Sequence, residues 1–450
     1  MEILDYLMKE LKNKVDDAVL TFVSGESTQI KFANNVVVNT SLDEYTHIGV
    51  FAVKDKKIIA TNLKDLALNG SEGIVSPQVK KGINETAAKL VKYFKMIQPK
   101  EDYNGINDKK YRYKEVPETY DPKIKDVNGV DFVEKGINAA MKEGARRTNG
   151  TFETHDVKEY VLTSEGIEYS NKNTEIYFTI RSFVDEDESG HVDKASCITK
   201  GFDTEKIGKK SGEIASNAKN PVNGKRGKYD IILSPLSFAP ILNSIGESAS
   251  IFSVESGLSF FTDSLNKKIG SNKISIYDDG RLRNGIGSTK VDHEGVPTRR
   301  TPILEKGVHR NYLHNYSTAK KYNVQNAGNA GLISPEPWNI VVDNGDYELD
   351  EMIKSVKRGL YVTNVWYTRF SNYHTGDFST IPRDGCFLIK NGEIKESWKG
   401  VRISENILHI LKNVAKVGKN TEHLRSWEAP IPIKSPSILI KNCKVTVPTK

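Results

Sequence analysis

The side chains able to do chemistry in this 450-residue chain are nine histidines, three cysteines and many dispersed carboxylates. A zinc site on one helix takes two imidazoles about a turn apart, as in HExxH, because residues at that spacing point the same way. Among His47, His155, His191, His293, His309, His314, His374, His409 and His423, no two are four apart. His309 and His314 are five apart, beside Asn311, Tyr312 and Asn315, and read as a surface edge. His293-Glu294 begins like the zincin motif, but Pro297 stands where its second histidine belongs. Phosphate cradles fail too: no Lys-Ser/Thr follows Gly280, Gly285 or Gly287, and Lys290 replaces the third glycine of a dinucleotide fingerprint. These are turn glycines. No GxSxG elbow surrounds any serine. What remains is His374-Thr375-Gly376-Asp377-Phe378-Ser379, with Cys386 a short hairpin away. If brought together, these groups would make an autonomous peptidase or amidase. Neighbours in a strand face opposite sides, however, so spacing alone assembles no triad.

The elements that would position such residues are legible from periodicity. The first residues carry apolar side chains at Ile3, Leu4, Leu7, Met8 and Leu11, an amphipathic helix. Strand runs at Ala18–Val23, Gln29–Phe32, Val36–Val38 and His47–Val53 follow, parted by Gly25-Glu26-Ser27 and Asn34-Asn35, with a further hairpin at Asp55-Lys56. Helices are expected over Val79–Ile97 and Val130–Ala145, joined by a long polar, Tyr-rich connection from Pro99 to Pro122. From Thr151 the period returns to two and the helix-then-strands order repeats as a weak echo, closing with a helix through Lys206–Ala218. Asn220-Pro221 marks a boundary, and Lys225-Arg226-Gly227-Lys228 reads as a linker. Beyond it, Tyr229–Leu233 runs as a strand into Ser234-Pro235, a cap and first helical position, and then into a helix to Ser250. Short strands with Gly-rich turns dominate the remainder, with helices at Glu348–Arg358 and Ser404–Val417. The expected fold class is α+β in two domains. Residues 1–220 form a helix-plus-antiparallel-sheet domain, and residues 221–450 a sheet-dominated one with a few helices.

Composition excludes several classes. Hydrophobic residues at 37%, beside charged residues at 27%, supply apolar surface enough for a packed core and too much for a disordered chain. No apolar run approaches the roughly 18 residues of a membrane span, and the amino terminus lacks the basic start and apolar stretch of a secretory signal. Cys197, Cys386 and Cys443 are odd in number and form no CxxC pair, which points to a reducing cytoplasm. The net charge of +7 is spread among acidic residues without a basic, aromatic-interleaved stripe, which argues against nucleic acid.

Several segments, in one order, carry a family resemblance. Asp292-His293-Glu294-Gly295-Val296-Pro297-Thr298-Arg299-Arg300, then Leu304–Val308 with Tyr312–Ala319, then Asn326-Ala327-Gly328-Asn329-Ala330-Gly331, then Thr375–Ser379, Gly385 and Ile389–Ile394 resemble motifs of the TldD/TldE family, also called PmbA or modulator of DNA gyrase. The resemblance is strongest from about Ser275 to Gly400. It implies a protease system in which a TldD-type subunit, with an HExxxH helix and a downstream cysteine as metal ligands, pairs with a TldE-type subunit. Carried onto the helix after Ser234-Pro235, the two histidine positions fall on Ser244 and Ala249 and the glutamate on Ile245. Arg425–Pro430, where the cysteine would lie, has none.

The resemblance therefore implies the TldE/PmbA-like branch: no catalytic residue and no cofactor on this chain, with zinc in a TldD-type partner. The expected function is that of a non-metal subunit of a heteromeric metalloprotease acting on unfolded peptides. Asn326, Gly328 and Asn329, with Thr375, Gly376, Asp377, Phe378 and Ser379, are the candidate groove or interface residues. A homodimeric scaffold, the autonomous peptidase and a DNA-associated module remain open alternatives.

Overall fold

The computed structural model describes residues 1–64 and 76–447. The amino-terminal half runs α1 (Glu2–Leu11), β1 (Asp17–Ala33), β2 (Val36–Lys54), β3 (Lys57–Lys64), α2 (Pro77–Tyr93), α3 (Gly129–Lys142), β4 (Arg147–Thr163), β5 (Glu168–Phe183), β6 (Ser189–Ser196) and α4 (Thr204–Asn217). Its six strands make one antiparallel sheet in the order β3-β2-β1-β4-β5-β6. The echo in the sequence thus becomes two helix–three strands–helix units joined edge to edge through β1 and β4.

The turn expected at Gly25-Glu26-Ser27 is absent. Gly25 pairs with Tyr45 on one side and Val157 on the other, in the middle of a continuous strand. A Cβ there would lie 2.3 Å from Cζ of Tyr45, so the glycine makes room for that ring. The turns lie instead at Asn34-Asn35, with φ of 51° and 68°, and at Asp55-Lys56, with φ of 49° and 59°, a left-handed pair at each reversal, as tight hairpins require.

Alternation along these strands separates two faces. Leu20, Phe22, Ile48 and Val50 pack under α1 and α2, and Phe32, Phe152, Phe178 and Ile180 under α3 and α4. The other face carries Val19, Phe51, Val53, Val161 and Tyr169 at one end, packed near Val291, and polar side chains at the other.

The second half contributes β7 (Val222–Asn223), β8 (Gly227–Leu233), α5 (Pro235–Ala249), α6 (Ile251–Glu255), β9 (Ile276–Asp279), β10 (Arg300–Glu305), β11 (Val308–His309), α7 (Tyr316–Lys321), β12 (Ile340–Val342), α8 (Leu349–Lys354), β13 (Arg358–Asn372), β14 (Asp377–Lys390), β15 (Glu393–Lys399), β16 (Arg402–Asn406), α9 (Ile407–Lys412), β17 (Val414–Ser426) and β18 (Ala429–Thr446). All its strands join one sheet, centred on β18-β8-β13-β14. The architecture is α+β and sheet-dominated. Two helices shrink from their expected lengths. Glu348–Arg358 retains only α8, started by a reciprocal Glu348/Glu351 capping box, because Arg358 opens β13. Ser404–Val417 retains only α9, since Ser404–Asn406 pair with β14 and Val414 begins β17, so sheet pairing overrides the helical period.

No helix among the described residues is long and apolar enough to cross a membrane. The Tyr-rich connection between α2 and α3 is extended and lies between the halves: Tyr103 donates to Asp17 at 2.9 Å, Asn107 to the carbonyl of Glu294 at 3.1 Å, and Tyr113 to the carbonyl of Gly295 at 2.9 Å.

Candidate functional site

Helix α5 starts as its sequence predicts, with the Ser234 hydroxyl accepting from the Ser237 amide at 3.2 Å and Pro235 next. Its surroundings are the centre of the second core, against β18, β13 and β12. Every α5 residue except Ser244 and Glu247 is buried, including Pro240 inside the helix. Gly246 allows close approach, since a Cβ would meet Ile340 at 2.9 Å. Ile245 and Ala249 are completely buried apolar side chains. The Ser244 hydroxyl donates back to the carbonyl of Pro240 at 3.1 Å. These three side chains do not fit a zinc ion: one hydroxyl is engaged by its own helix, and the other two offer no donor. Among the described residues no group of three or more His, Cys, Asp or Glu is placed to hold a metal. The Cys443 thiol is buried in β18, and burial, then Glu405 and Asp230, push its pKa well up.

The Thr375–Ser379 segment is the tip of the β13–β14 hairpin. Gly376 has φ of 78°, Thr375 donates to the Asp377 carboxylate at 2.5 Å, Asn406 donates to it at 2.9 Å, and Arg402 donates to the Ser379 hydroxyl at 2.8 Å. The hydrogen bonds from Thr375 and Asn406 hold the Asp377 pKa below the usual range. Phe378 is a core side chain. Among the described residues no hydrogen bond links His374, Asp377, Ser379 and Cys386 to one another, and burial lifts the Cys386 thiol to about 12. No triad is assembled there. His309 and His314 are likewise no surface edge. Both are buried, His309 held by Ser264 at 2.8 Å and the Asn311 carbonyl at 3.1 Å, and burial pushes each imidazole down to about 4.

The Asn326–Gly331 loop has a different setting and shares no hydrogen bond with the hairpin tip. The Gly328 amide donates to the Asn326 side chain at 2.9 Å, and Trp338 donates to the Gly328 carbonyl at 2.8 Å. Asn329 donates to Asp278 at 2.5 Å, and the Ala330 amide to Asp292 at 2.9 Å. Burial raises Asp278 to about 7 and Asp292 to about 6, against the amide hydrogen bonds each accepts. Burial, then Asp292, lifts Glu294 well above the usual carboxylate range.

Beside this loop, a cleft of about 480 Å³ lies between the halves, walled on one side by Ile286–Thr289, Val291, His293 and Trp338. The opposite wall is the polar face of the first sheet: Glu159 and His155 of β4, with Glu175 of β5 directly across from His155. His293 reaches Glu159 at 3.1 Å. Burial works to lower the His293 pKa, but Glu159 and Asp292 outweigh it and the net direction is up. Arg425 of β17 bridges Glu175 at 3.2 Å and Glu153 at 3.7 Å. Elsewhere the halves are joined by a buried network in which Asp384 of β14 accepts from Arg181 at 2.6 Å, Ser189 at 2.5 Å and Asn364 at 2.9 Å. The cleft, lined by His155, Glu159, Glu175, His293 and Arg425, suits a polar ligand. Sequence reading passed over these residues. The available signal was the alternation Glu153, His155, Glu159, which places ionisable groups on one face of a strand.

The family model of the PmbA/TldA metallopeptidase C-terminal domain matches residues 226–447. A metalloprotease of Methanocaldococcus jannaschii is 31% identical over 252 residues, covering 52% of this chain and 54% of its own length. Metalloprotease PmbA of Escherichia coli O157:H7 is 31% identical over 163 residues, 36% of this chain and 35% of its own. The chain thus spans about half the length of the archaeal relative it matches and about a third of the bacterial one. The crystal structure of TldE from Thermococcus kodakarensis aligns with 99% of this chain and 100% of its own at a TM-score of 0.85 and 20% identity, a likeness of fold alone.

Proposed function

Because this chain belongs to the PmbA/TldD metallopeptidase family, we propose that it is a TldE/PmbA-type subunit of a heteromeric metalloprotease. It pairs in the cytoplasm with a TldD-type subunit that carries the zinc, and it contributes walls and binding surface around that site. The observation that carries this reading is α5, whose residues at the implied ligand positions, Ser244, Ile245 and Ala249, are packing groups without metal-binding capacity.

In this role the chain's own residues bind and orient substrate. The substrate is an unfolded peptide, held through main-chain hydrogen bonds by strand addition, a mode tolerant of sequence. The Asn326–Gly331 loop and the Thr375–Ser379 hairpin tip border the groove or the subunit interface. The reading is tested by purifying the chain alone and mixed with a TldD-type subunit from the same source, then following mass in solution, zinc content and cleavage of an unfolded protein. The expected result is no zinc and no cleavage alone, with a mixed complex and cleavage in the mixture. Separate species in the mixture, or zinc-dependent or chelator-resistant cleavage by the isolated chain, would overturn it.

A further inference from the structure

A second cavity, of about 550 Å³, opens between β6, α4 and the strand pair β17–β18, and its walls are basic. Lys194, Lys200, Lys206, Lys210 and Lys434 line it with His423, against two carboxylates, Asp203 and Glu422. Both carboxylates are engaged: Glu422 with Lys210 at 2.5 Å, and Asp203 with Lys206 at 3.4 Å and the Lys206 amide at 3.1 Å, where it caps α4. The helix terminus is therefore already filled by its own carboxylate. Lys194, Lys200 and Lys434 have no ion-pair partner among the described residues.

Lys194 of β6 and Lys434 of β18 are half-buried, with Lys434 directly across from His423 in the β17–β18 ladder. The His423 ring nitrogen Nε2 is sealed from solvent without a hydrogen-bond partner. Burial, then Lys434 and Lys194, hold its pKa down to about 4 against a hydrogen bond to the Asn284 backbone, so the ring is neutral and, in the tautomer with its proton on Nε2, donates one N–H there. Cations without ion-pair partners beside a ring nitrogen without a hydrogen-bond partner repel one another in the empty state, an arrangement that a bound multivalent anion relieves. The volume falls in the range of small-molecule sites, about 300–1,000 Å³. Phe202 adds an aromatic surface to the wall.

We propose that this cavity binds a small phosphate-bearing anion of pyrophosphate or nucleoside di- or triphosphate type, its phosphoryl oxygens held between Lys194, Lys434 and His423. This site is independent of peptide binding in the cleft and of any partner subunit.

The test is isothermal titration calorimetry of the full chain in phosphate-free buffer at constant ionic strength, with pyrophosphate, ATP and a polyaspartate peptide. Saturable binding of one pyrophosphate per chain is expected, weakened at least tenfold in Lys194→Gln/Lys434→Gln and unchanged in Lys225→Gln, an exposed lysine outside the cavity. Because the double variant removes facing cations, it is expected to melt no lower than the parent. If it does not fold, Lys434→Gln alone decides, with a loss of at least threefold expected. Equal affinity for ATP and pyrophosphate would assign recognition to the phosphates, and tighter ATP binding would add a nucleoside contact; either supports the site. No saturable binding, an equal loss in Lys225→Gln, or displacement of pyrophosphate by polyaspartate at lower concentration would overturn it.

Discussion

Helix α5 and the cleft between the halves occupy equally central positions, but they are filled in opposite ways. Around α5, Phe238, Ile241, Leu242 and Ile245 are in contact with β-sheet residues such as Ile231, Leu360 and Ile438, and the polar groups there are satisfied within the helix or by the adjacent strand. In the cleft, Glu159, Glu175, His293 and Arg425 meet across two sheets, and the ion pairs His293–Glu159 and Arg425–Glu175 cross between the halves. Helix α5 is thus a packing element, while ionisable side chains are kept where the halves face each other. An apolar helix tolerates no charge, whereas an ionic cleft tolerates change as long as each charge keeps a partner.

The contrast is broken most severely by placing a carboxylate on α5. Ile245→Glu puts a charge among fully buried side chains, and urea unfolding is expected to show a loss of about 4 kcal/mol or more, or no folded protein. The same change combined with Ser244→His and Ala249→His is expected to yield no stoichiometric zinc by elemental analysis, because the backbone there is packed too tightly for three larger side chains.

Next in size, Arg181→Ala leaves Asp384 buried against β14 without its cation. A loss of about 3 kcal/mol is expected in urea unfolding. Burial acts to raise the Asp384 pKa, but Arg181, then His191, outweigh it and hold it below the usual range. The contribution of that carboxylate is therefore present above the unfolded value of about 3.9 and lost as pH falls through the lower folded value. A parent protein whose stability is indifferent to Arg181→Ala would mean that the halves are not joined through this network.

Asp278 has the opposite sign. Its folded pKa of about 7 lies above the unfolded value, so between roughly pH 4 and 7 the folded state binds more protons and raising the pH destabilises it. Urea midpoints of the parent and Asp278→Asn at pH 5 and pH 8 should show the parent losing more stability at the higher pH, by on the order of 2 kcal/mol. Parallel pH profiles would place the burial strain elsewhere. Smallest of all, Ser244→Ala removes a hydroxyl bonded only within its own helix, and a change under about 0.5 kcal/mol is expected in the same assay. A large effect would show that Ser244 has a partner beyond the helix.

How much of this was legible beforehand varies residue by residue. Ser234-Pro235 announced α5, Asn34-Asn35 and Asp55-Lys56 announced their hairpins, and the Asp292–Arg300 and Thr375–Ser379 motifs carried the family. Gly25-Glu26-Ser27 misled, because a glycine in mid-strand has the same local signature as one in a turn until Tyr45 is seen lying across it. Ser404–Asn406 and Val414 misled likewise, since their helical spacing yields to strands contributed from residues 377–390 and 429–446. The cleft was hidden because Glu159, Glu175, His293 and Arg425 come from segments with no fixed spacing in the chain.

By itself, the sequence determined what acts over a few residues: helix caps, left-handed turn pairs, the alternation that gives each strand two faces, and the absence of any histidine near α5. Those features follow from backbone sterics and nearest-neighbour hydrogen bonds, which do not wait for the fold. Only the tertiary structure decided which strand face would be apolar and which ionic, that Lys194, Lys434 and His423 share one cavity, and that Asp278 and Asp292 are buried. Burial and charge balance are set by groups tens to hundreds of residues away, and their free energy exists only once the two sheets have met.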